Sequence, residues 1–325
     1  MLTVVLATRN RAAILRETLE AFCRLQEPAS GWKLAIVDNG STDETPAVLA
    51  SFAGRLPLQT VCEPTGGKNS ALNTGLGLLE GDLTVFTDDD TFPHPNWLVE
   101  LRNAADAQPD YSIFGGAIVP RWESPPPIWV QWLDQRPVYA LTDPLMKEGP
   151  IPAFLVFGPN MAIRAAVFQS GVRFDPSIGP RNSSYPMGSE VELTLRLNRR
   201  GHNAWFVSRA VVEHFIRDYQ LRESWVLKRA IRYGRGRFRL DYKQVYRRYP
   251  CWFGVPRTFF RQIIEQEKTI IKAWLRSDQR EFFCATWRRN FLWGHVIEAH
   301  LSYRDRADWR TAQSLNDDPG GRDSA

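Results

Sequence analysis

The sequence predicts an α/β fold built on a mostly parallel sheet, and three observations carry that prediction. Over the first third of the chain, short apolar runs alternate with helix-length segments, the pattern of strands joined by crossover helices. The runs are nearly continuous in apolar residues, as expected of strands covered on both faces. The most apolar runs stop against polar clusters, Thr8-Arg9-Asn10, Asp38-Asn39-Gly40-Ser41 and Asp88-Asp89-Asp90, at the strand ends where such sheets bind ligands.

In order, the strands are LTVVLA (2–7), KLAIVD (33–38), LQTVC (58–62), LTVF (83–86) and YSIFGGAIV (111–119), with helices expected over 12–24, 43–53, 67–79 and 95–106. Residues 120–152, rich in Pro and Trp, read as an irregular excursion. A mixed block over 153–216 carries a helix near 188–200 and strands near 204–207 and 210–214. Beyond 217 the pattern is helical, basic and aromatic, with helices expected over 219–240, 255–276 and 279–303, and the end, NDDPGGRDSA, reads as disordered. The organisation read from this is a domain over 1–216, an extension over 217–312 and a tail over 313–325.

The 325 residues are 43% hydrophobic, enough for one large or two modest cores. The four cysteines form no CxxC pair, so their spacing signals neither zinc nor a disulfide framework. Residues 2–7 read as a strand rather than a signal peptide, and no run reaches the roughly 18 apolar residues of a membrane span. A cytoplasmic protein is expected, resting at most peripherally on the inner face of the plasma membrane. Charge is uneven: residues 1–216 hold 18 Lys and Arg against 23 Asp and Glu, whereas residues 217–312 hold 22 against 10. A basic segment of this kind suits an anionic partner.

The stretch VFTDDDTFPHPNW (85–97) raises the main chemical question. Side chains leaving a strand alternate in direction, so Asp88 and Asp90 share a side and Asp89 points away. On residue chemistry alone this is either a solvated acidic turn or a pair of hard oxygen donors for Mg²⁺ or Mn²⁺. The ordered set VVLATRNRAAIL, IVDNGSTDET, GGKNSALNTGL and VFTDDDTFPHPNWL, followed by GPNMAIRAAVF, RFDPSIGP, MGSEVELTLRLNRRGHNAWFV and AVVEHF, resembles family-2 glycosyltransferases. The resemblance covers about residues 2–216 and implies the A-type glycosyltransferase fold. Residues 1–119 would form the Rossmann-like nucleotide-sugar-binding sheet and 120–216 the acceptor-binding part, with 217–312 as a helical C-terminal extension.

The same resemblance assigns roles. Thr8, Arg11, Asp38, Lys68, Asp88 and Asp89 would hold the donor nucleotide, and Asp90 and His214 a Mn²⁺ or Mg²⁺ ion. Glu190 stands where the family has its catalytic base, an Asp, with Ser189 in place of the preceding Glu. Asn160, Asp175 and Glu192 would line the sugar or acceptor site. Each has a plainer reading: a helix cap at Asn10, an ordinary turn at Ser41–Asp43 and Asp175, helix-dipole acids at Glu190 and Glu192, a strand-end His214. Asn39 replaces the second acid of the family's VDDGSTD pattern, which leaves the nucleotide open. The function implied is inverting, metal-dependent transfer of a sugar from a nucleotide-diphosphate sugar, UDP-linked, to a glycan or lipid-linked acceptor in bacterial surface polysaccharide synthesis. The alternative is a noncatalytic nucleotide-sugar-binding or glycan-binding member of the same fold.

The segment 217–312 carries half of the twelve tryptophans and apolar residues at helical spacing. It would either lie on an anionic membrane surface or pack on the catalytic domain with its arginines solvated. Arg232 and Arg235 are placed by their position after the catalytic helix to reach toward a pyrophosphate. Nothing in it resembles a nucleic-acid-binding module.

Overall fold

The computed structural model describes residues 1–181, 185–243, 245 and 248–316, with side chains in the last helix described to Asp305. Two compact units are present, Met1–Trp225 and Val226–Ala325. Of the disordered tail expected over 313–325, residues 313–316 are helical instead, since the last helix is continuous to Asn316, and the remainder, 317–325, lies outside the described residues.

The first unit begins as the sequence predicts. Strand β1 (Leu2–Thr8), helix α1 (Ala12–Phe22), β2 (Trp32–Asp38), α2 (Thr45–Phe52), β3 (Leu58–Cys62), α3 (Lys68–Gly75) and β4 (Leu83–Phe86) alternate. The four strands form a parallel array in the order β3-β2-β1-β4. Thr8 pairs with Asp38 and Asp38 with Cys62, so these strand ends lie side by side. Helix α1 buries Ile14, Leu15, Leu19 and Phe22. Its entry differs from expectation. Asn10 is not a cap; it adopts φ 51° and its Oδ1 accepts from Thr42 N at 2.7 Å. The Arg11 and Ala12 amides at the start of α1 are met instead by Thr45, the first residue of α2, and by Asp43 of the loop before it.

The chain continues through β5 (Thr91–Pro93), α4 (Trp97–Ala107), β6 (Ile113–Trp122), α5 (Gln135–Tyr139), β7 (Gly149–Ile151), β8 (Met161–Arg164), α6 (Ala165–Gln169), α7 (Ser189–Asn198) and β9 (Ala204–Ile216). These extend the sheet to nine strands through antiparallel pairings of β8 with β4 and β6, a parallel pairing of β6 with β9, and antiparallel pairings of β5 and β7 with β9. The two strands expected near 204–207 and 210–214 are one strand, β9, with an irregularity: Gly116 pairs with Val207 but Ala117 with Val211. Asn160 fills that gap, donating to Ala117 O at 2.9 Å and Ala210 O at 2.8 Å and accepting from the Trp97 indole at 2.8 Å. The core beneath α3 and α7 is built on Phe86, whose ring meets Phe168 at 5.5 Å and Phe174 at 5.2 Å, with Val5, Met161 and Leu193 around them.

Helix α8 (Glu223–Asp241) leads into the second unit, where a short hairpin, β10 (Cys251–Trp252) and β11 (Val255–Pro256), precedes α9 (Arg257–Leu275) and α10 (Gln279–Asn316). Phe238, Phe259, Ile263 and Val296 form its core. Arg235 does not extend into solvent: it is buried against Glu298 at 2.8 Å, inside this unit, so it is not free to reach a phosphate. Among the described residues no helix is long and apolar enough to cross a membrane.

Candidate active site

The polar residues that end β1, β2 and β4 converge on the loops before α3 and α7. The acid triplet lies past the end of β4, where strand alternation no longer applies: Asp89 turns away as expected, but Asp88 and Asp90 do not share partners. Asp88 accepts from Lys68 Nζ at 2.6 Å. Asp89 turns inward, accepting from Thr8 Oγ1 at 2.8 Å while its carbonyl accepts from Thr18. Thr8 is buried and its hydroxyl is spent on that contact. Asp90 lies against cations: Arg217 Nη1 at 2.9 Å, His214 Nε2 at 3.6 Å and Arg11 Nη1 at 3.7 Å.

Chain topology explains how residues so far apart in sequence reach Asp90. The antiparallel pairing of β5 with β9 sets Thr91 opposite His214, and Phe215 N donates to Asp90 O at 2.9 Å. The backbone therefore fixes the acid against the end of β9. His214 Nδ1 lies 2.7 Å from Tyr139 O, which leaves Nε2 toward Asp90.

Lys68 opens α3 and joins two parts of the site. Its ammonium bonds Asp88 and also Glu190 Oε1 at 3.0 Å. Glu190 sits in the first turn of α7, just after Gly188, whose φ of 97° lets the chain turn into the helix. Its second oxygen accepts from Ser189 Oγ at 2.8 Å. Gly158 leaves the room: a Cβ there would fall 2.5 Å from Glu190 Oε1.

The electrostatics follow from burial opposed by charge. Burial works to raise the Glu190 carboxyl, but the Lys68 ammonium and the hydrogen bonds outweigh it, so the group is held below the ordinary value. Burial works to lower Lys68, and its two carboxylates outweigh that, so it stays charged. Asp89 is pushed up to about 7, by burial first and then by the Asp90 charge. Asp90 is held below the carboxylate range despite burial by His214, Arg11 and Arg217, and His214 is raised in return.

The sequence-predicted residues divide accordingly. Lys68, Asp88 and Glu190 form one cluster, and Arg11, Asp90 and His214 another. Asp38 accepts from Ser41 N at 2.9 Å at the end of β2. Three residues predicted to line a sugar or acceptor site have other engagements. Asn160 is wholly buried with its amide spent on the β9 irregularity. Glu192 is held by Arg196, one turn on, at 2.8 Å. Asp175 caps its own turn by accepting from Ser177 N at 2.8 Å.

Sequence reasoning missed Arg217 and the role of Asn39. Arg217 lies just past β9, where strand alternation no longer indicates direction. The Asn39 amide donates to Glu63 O at 2.8 Å and Thr65 O at 2.7 Å, while its Oδ1 accepts from Gly67 N at 2.8 Å. An aspartate could not donate to those carbonyls, so Asn here fixes the loop that presents Lys68.

Among the described residues no three His, Cys, Asp or Glu side chains gather closely enough to hold a metal by themselves. Asp90 and His214 still fit a divalent cation bound jointly with a ligand's phosphates, since Mg²⁺ and Mn²⁺ sites commonly use one or two protein donors plus phosphate and water. An imidazole oriented through Nδ1 by a carbonyl, as His214 is by Tyr139 O, is the usual arrangement of a metal-binding histidine.

Comparison with known proteins bears on this arrangement. The family model described as Glycosyl transferase family 2 matches residues 3–171. The chain is 32% identical over 92 residues to a beta-monoglucosyldiacylglycerol synthase of Nostoc sp., covering 27% of this chain and 20% of that protein. The chain thus spans about a fifth of that relative's length. It is 22% identical over 224 residues to the glucosyl-dolichyl phosphate glucuronosyltransferase of Haloferax volcanii, covering 66% of this chain and 68% of the relative. The mannosyltransferase PcManGT from Pyrobaculum calidifontis, solved with GDP-Man and Mn²⁺, superposes with a TM-score of 0.54 at 18% identity, covering 97% of this chain and 80% of that one. S. aureus TarS 1–349, solved with UDP-GlcNAc, gives 0.51 at 14% identity, covering 96% of this chain and 92% of that one. Glu190, His214 and Arg217 all lie beyond the matched family segment.

Proposed function

The chain belongs to glycosyl transferase family 2, and from that premise we propose that it is an inverting hexosyltransferase using a nucleotide-diphosphate sugar, UDP-linked, and a glycan or lipid-linked acceptor. The observation that carries the reading is Lys68, whose one ammonium ties a donor-side acid, Asp88, to the candidate base, Glu190. Arg11, Lys68 and Arg217 supply the positive charge a diphosphate needs, and Asp38 the acceptor that a uracil N–H or ribose hydroxyl would use. A Mn²⁺ or Mg²⁺ ion held by Asp90 and His214 would neutralise the departing diphosphate when bound.

In this reading Glu190, kept ionised by Lys68, takes the proton of an acceptor hydroxyl. The hydroxyl oxygen bonds to the anomeric carbon as the bond from that carbon to the phosphate oxygen breaks. The electron pair leaves with the nucleoside diphosphate, and the configuration inverts because attack and departure are in line.

Calorimetric titration with UDP, GDP and dTDP, each with Mn²⁺, Mg²⁺ or chelator, tests the donor site. The expected result is cation-dependent binding of UDP that Asp90→Ala abolishes and Glu190→Gln leaves within a few-fold. Turnover of the matching sugar nucleotide by the wild type, reduced by about 10²–10⁴ in Glu190→Gln, identifies the base. Nucleotide binding without turnover of any acceptor tried would favour the noncatalytic reading. Failure of the folded protein to bind any nucleotide would overturn the proposal.

A further inference from the structure

Helix α9 carries three stripes at helical spacing. Phe259, Ile263, Ile270 and Ala273 are buried in the second unit's core. Beside them, Phe260, Ile264, Ile271 and Leu275 recur at intervals of four, seven and four and so share one side of the helix, with Glu267, paired to Arg289 at 3.4 Å, between Ile264 and Ile271. Three residues before each of these four apolar residues stand Arg257, Arg261, Lys268 and Lys272, a basic stripe alongside the apolar one. Phe260 packs partly on the core, but among the described residues the rest of the stripe is open: Ile264, Ile271 and Leu275, together with Trp274, are between 55 and 70% exposed.

The hairpin before α9 extends this surface. Its tip presents Trp252 at 54% and Phe253 at 83% exposure, the latter in the left-handed turn conformation at φ 47°. The Trp252 ring lies 6.1 Å from Phe260, and Arg257 stands over it at 5.1 Å. Two aromatics and an aliphatic stripe thus run together along one flank of basic side chains. Glu265, the acid nearest that flank, already pairs with Lys268 at 2.9 Å.

We propose that the Trp252-Phe253 hairpin tip and the exposed stripe of α9 form a docking surface for an anionic lipid bilayer, with α9 lying in the interface plane. Charge complementarity selects this occupant. A helix with an apolar side and a Lys/Arg border is the form that lies in the headgroup region, with its apolar face inserted and its cations among lipid phosphates. The aromatic tip suits the same depth, since Trp and Phe mark interfacial segments. A second copy meeting it through the same face would set basic flank against basic flank. A nucleic acid would leave the aliphatic residues without a partner.

The test is co-sedimentation of the full chain with vesicles of phosphatidylcholine, alone or mixed with phosphatidylglycerol. Binding is expected only to the mixed vesicles and is expected to weaken as salt rises. The triple change Ile264→Ser, Ile271→Ser, Leu275→Ser and, separately, Arg261→Glu, Lys268→Glu, Lys272→Glu should each reduce it by about tenfold or more. All six residues are exposed, and circular dichroism with the nucleotide titration verifies that each variant is folded. The proposal is overturned if the wild type stays in the supernatant with anionic vesicles, or if both variants sediment like the wild type. It is equally overturned if light scattering shows a dimer that the serine variant dissolves while no vesicle binding occurs, or if oligonucleotide binding takes its place.

Discussion

The carboxylate of Glu190 lies over the α-carbon of Gly158, in the volume that any side chain at 158 would need. The relationship makes Gly158 a determinant of where the candidate base sits, although it carries no chemistry of its own. Gly158→Ala should push Glu190 off its contact with Lys68. The expected result is a fall of about 10²-fold in kcat, since small misplacements of a reacting group have that scale, with the nucleotide Kd unchanged. Parallel turnover and calorimetry check it, and an unaltered kcat would show that the carboxylate relaxes freely.

Lys68 sets the ionisation of Glu190, and pH reads that directly. In the wild type the carboxyl is held below its ordinary 4.5, so the acid limb of kcat/KM should fall below that pH. In Lys68→Met burial is opposed only by the hydrogen bonds from Ser189 and the backbone, and the limb should move upward. Stability follows the same linkage. A carboxyl with a depressed folded pKa contributes stability that is present above its unfolded value and is lost as pH falls through the folded one. The wild type should therefore lose that contribution only on acidification below 4.5. Lys68→Met should gain relative stability on mild acidification as Glu190 protonates. Melting temperature measured against pH distinguishes the two.

Asn39→Asp restores the family's acid and should harm the protein. The two carbonyls that Asn39 now satisfies would face a carboxylate. An unpaired buried polar group costs about 1–3 kcal/mol, so a loss of roughly that size in denaturant unfolding is expected. Nucleotide affinity should also weaken, because the loop that presents Lys68 is freed. An Asn39→Asp protein as stable as the wild type would refute this account of the substitution.

Asn160→Ala should act on folding alone. It leaves the Trp97 indole N–H and the carbonyls of Ala117 and Ala210 without partners, an expected loss of about 3 kcal/mol. The folded fraction should still bind nucleotide with wild-type affinity. A selective loss of binding with unchanged stability would return Asn160 to the sugar site.

Legibility in the sequence followed the length and continuity of the signal. Strands β1, β2 and β4 were readable because apolar runs ended at polar clusters. Strands β5 and β8, of three and four residues, were too short to show a period. The irregularity opposite Gly116 and Ala117 broke the alternation of β9 and made one strand look like two. At the site, Asp88, Asp90, Glu190 and His214 could be picked out as acids and an imidazole in ordered motifs. The work of Asn39 and Asn160 could not, because their partners are backbone carbonyls, and any residue supplies those. Arg217 acquires meaning only once β5 pairs with β9.

That pairing sets a schedule for synthesis. Asp90 emerges from the ribosome with the first strands, but His214 and Arg217 follow more than a hundred residues later. Until β9 has been made and threaded between β5 and β6, the acid has none of the β9 groups that hold it ionised. On the proposed function, a growing chain would carry its first strands long before the pocket is finished and should not turn over a sugar nucleotide prematurely. Any truncation that stops short of residue 217 should inherit the same incapacity.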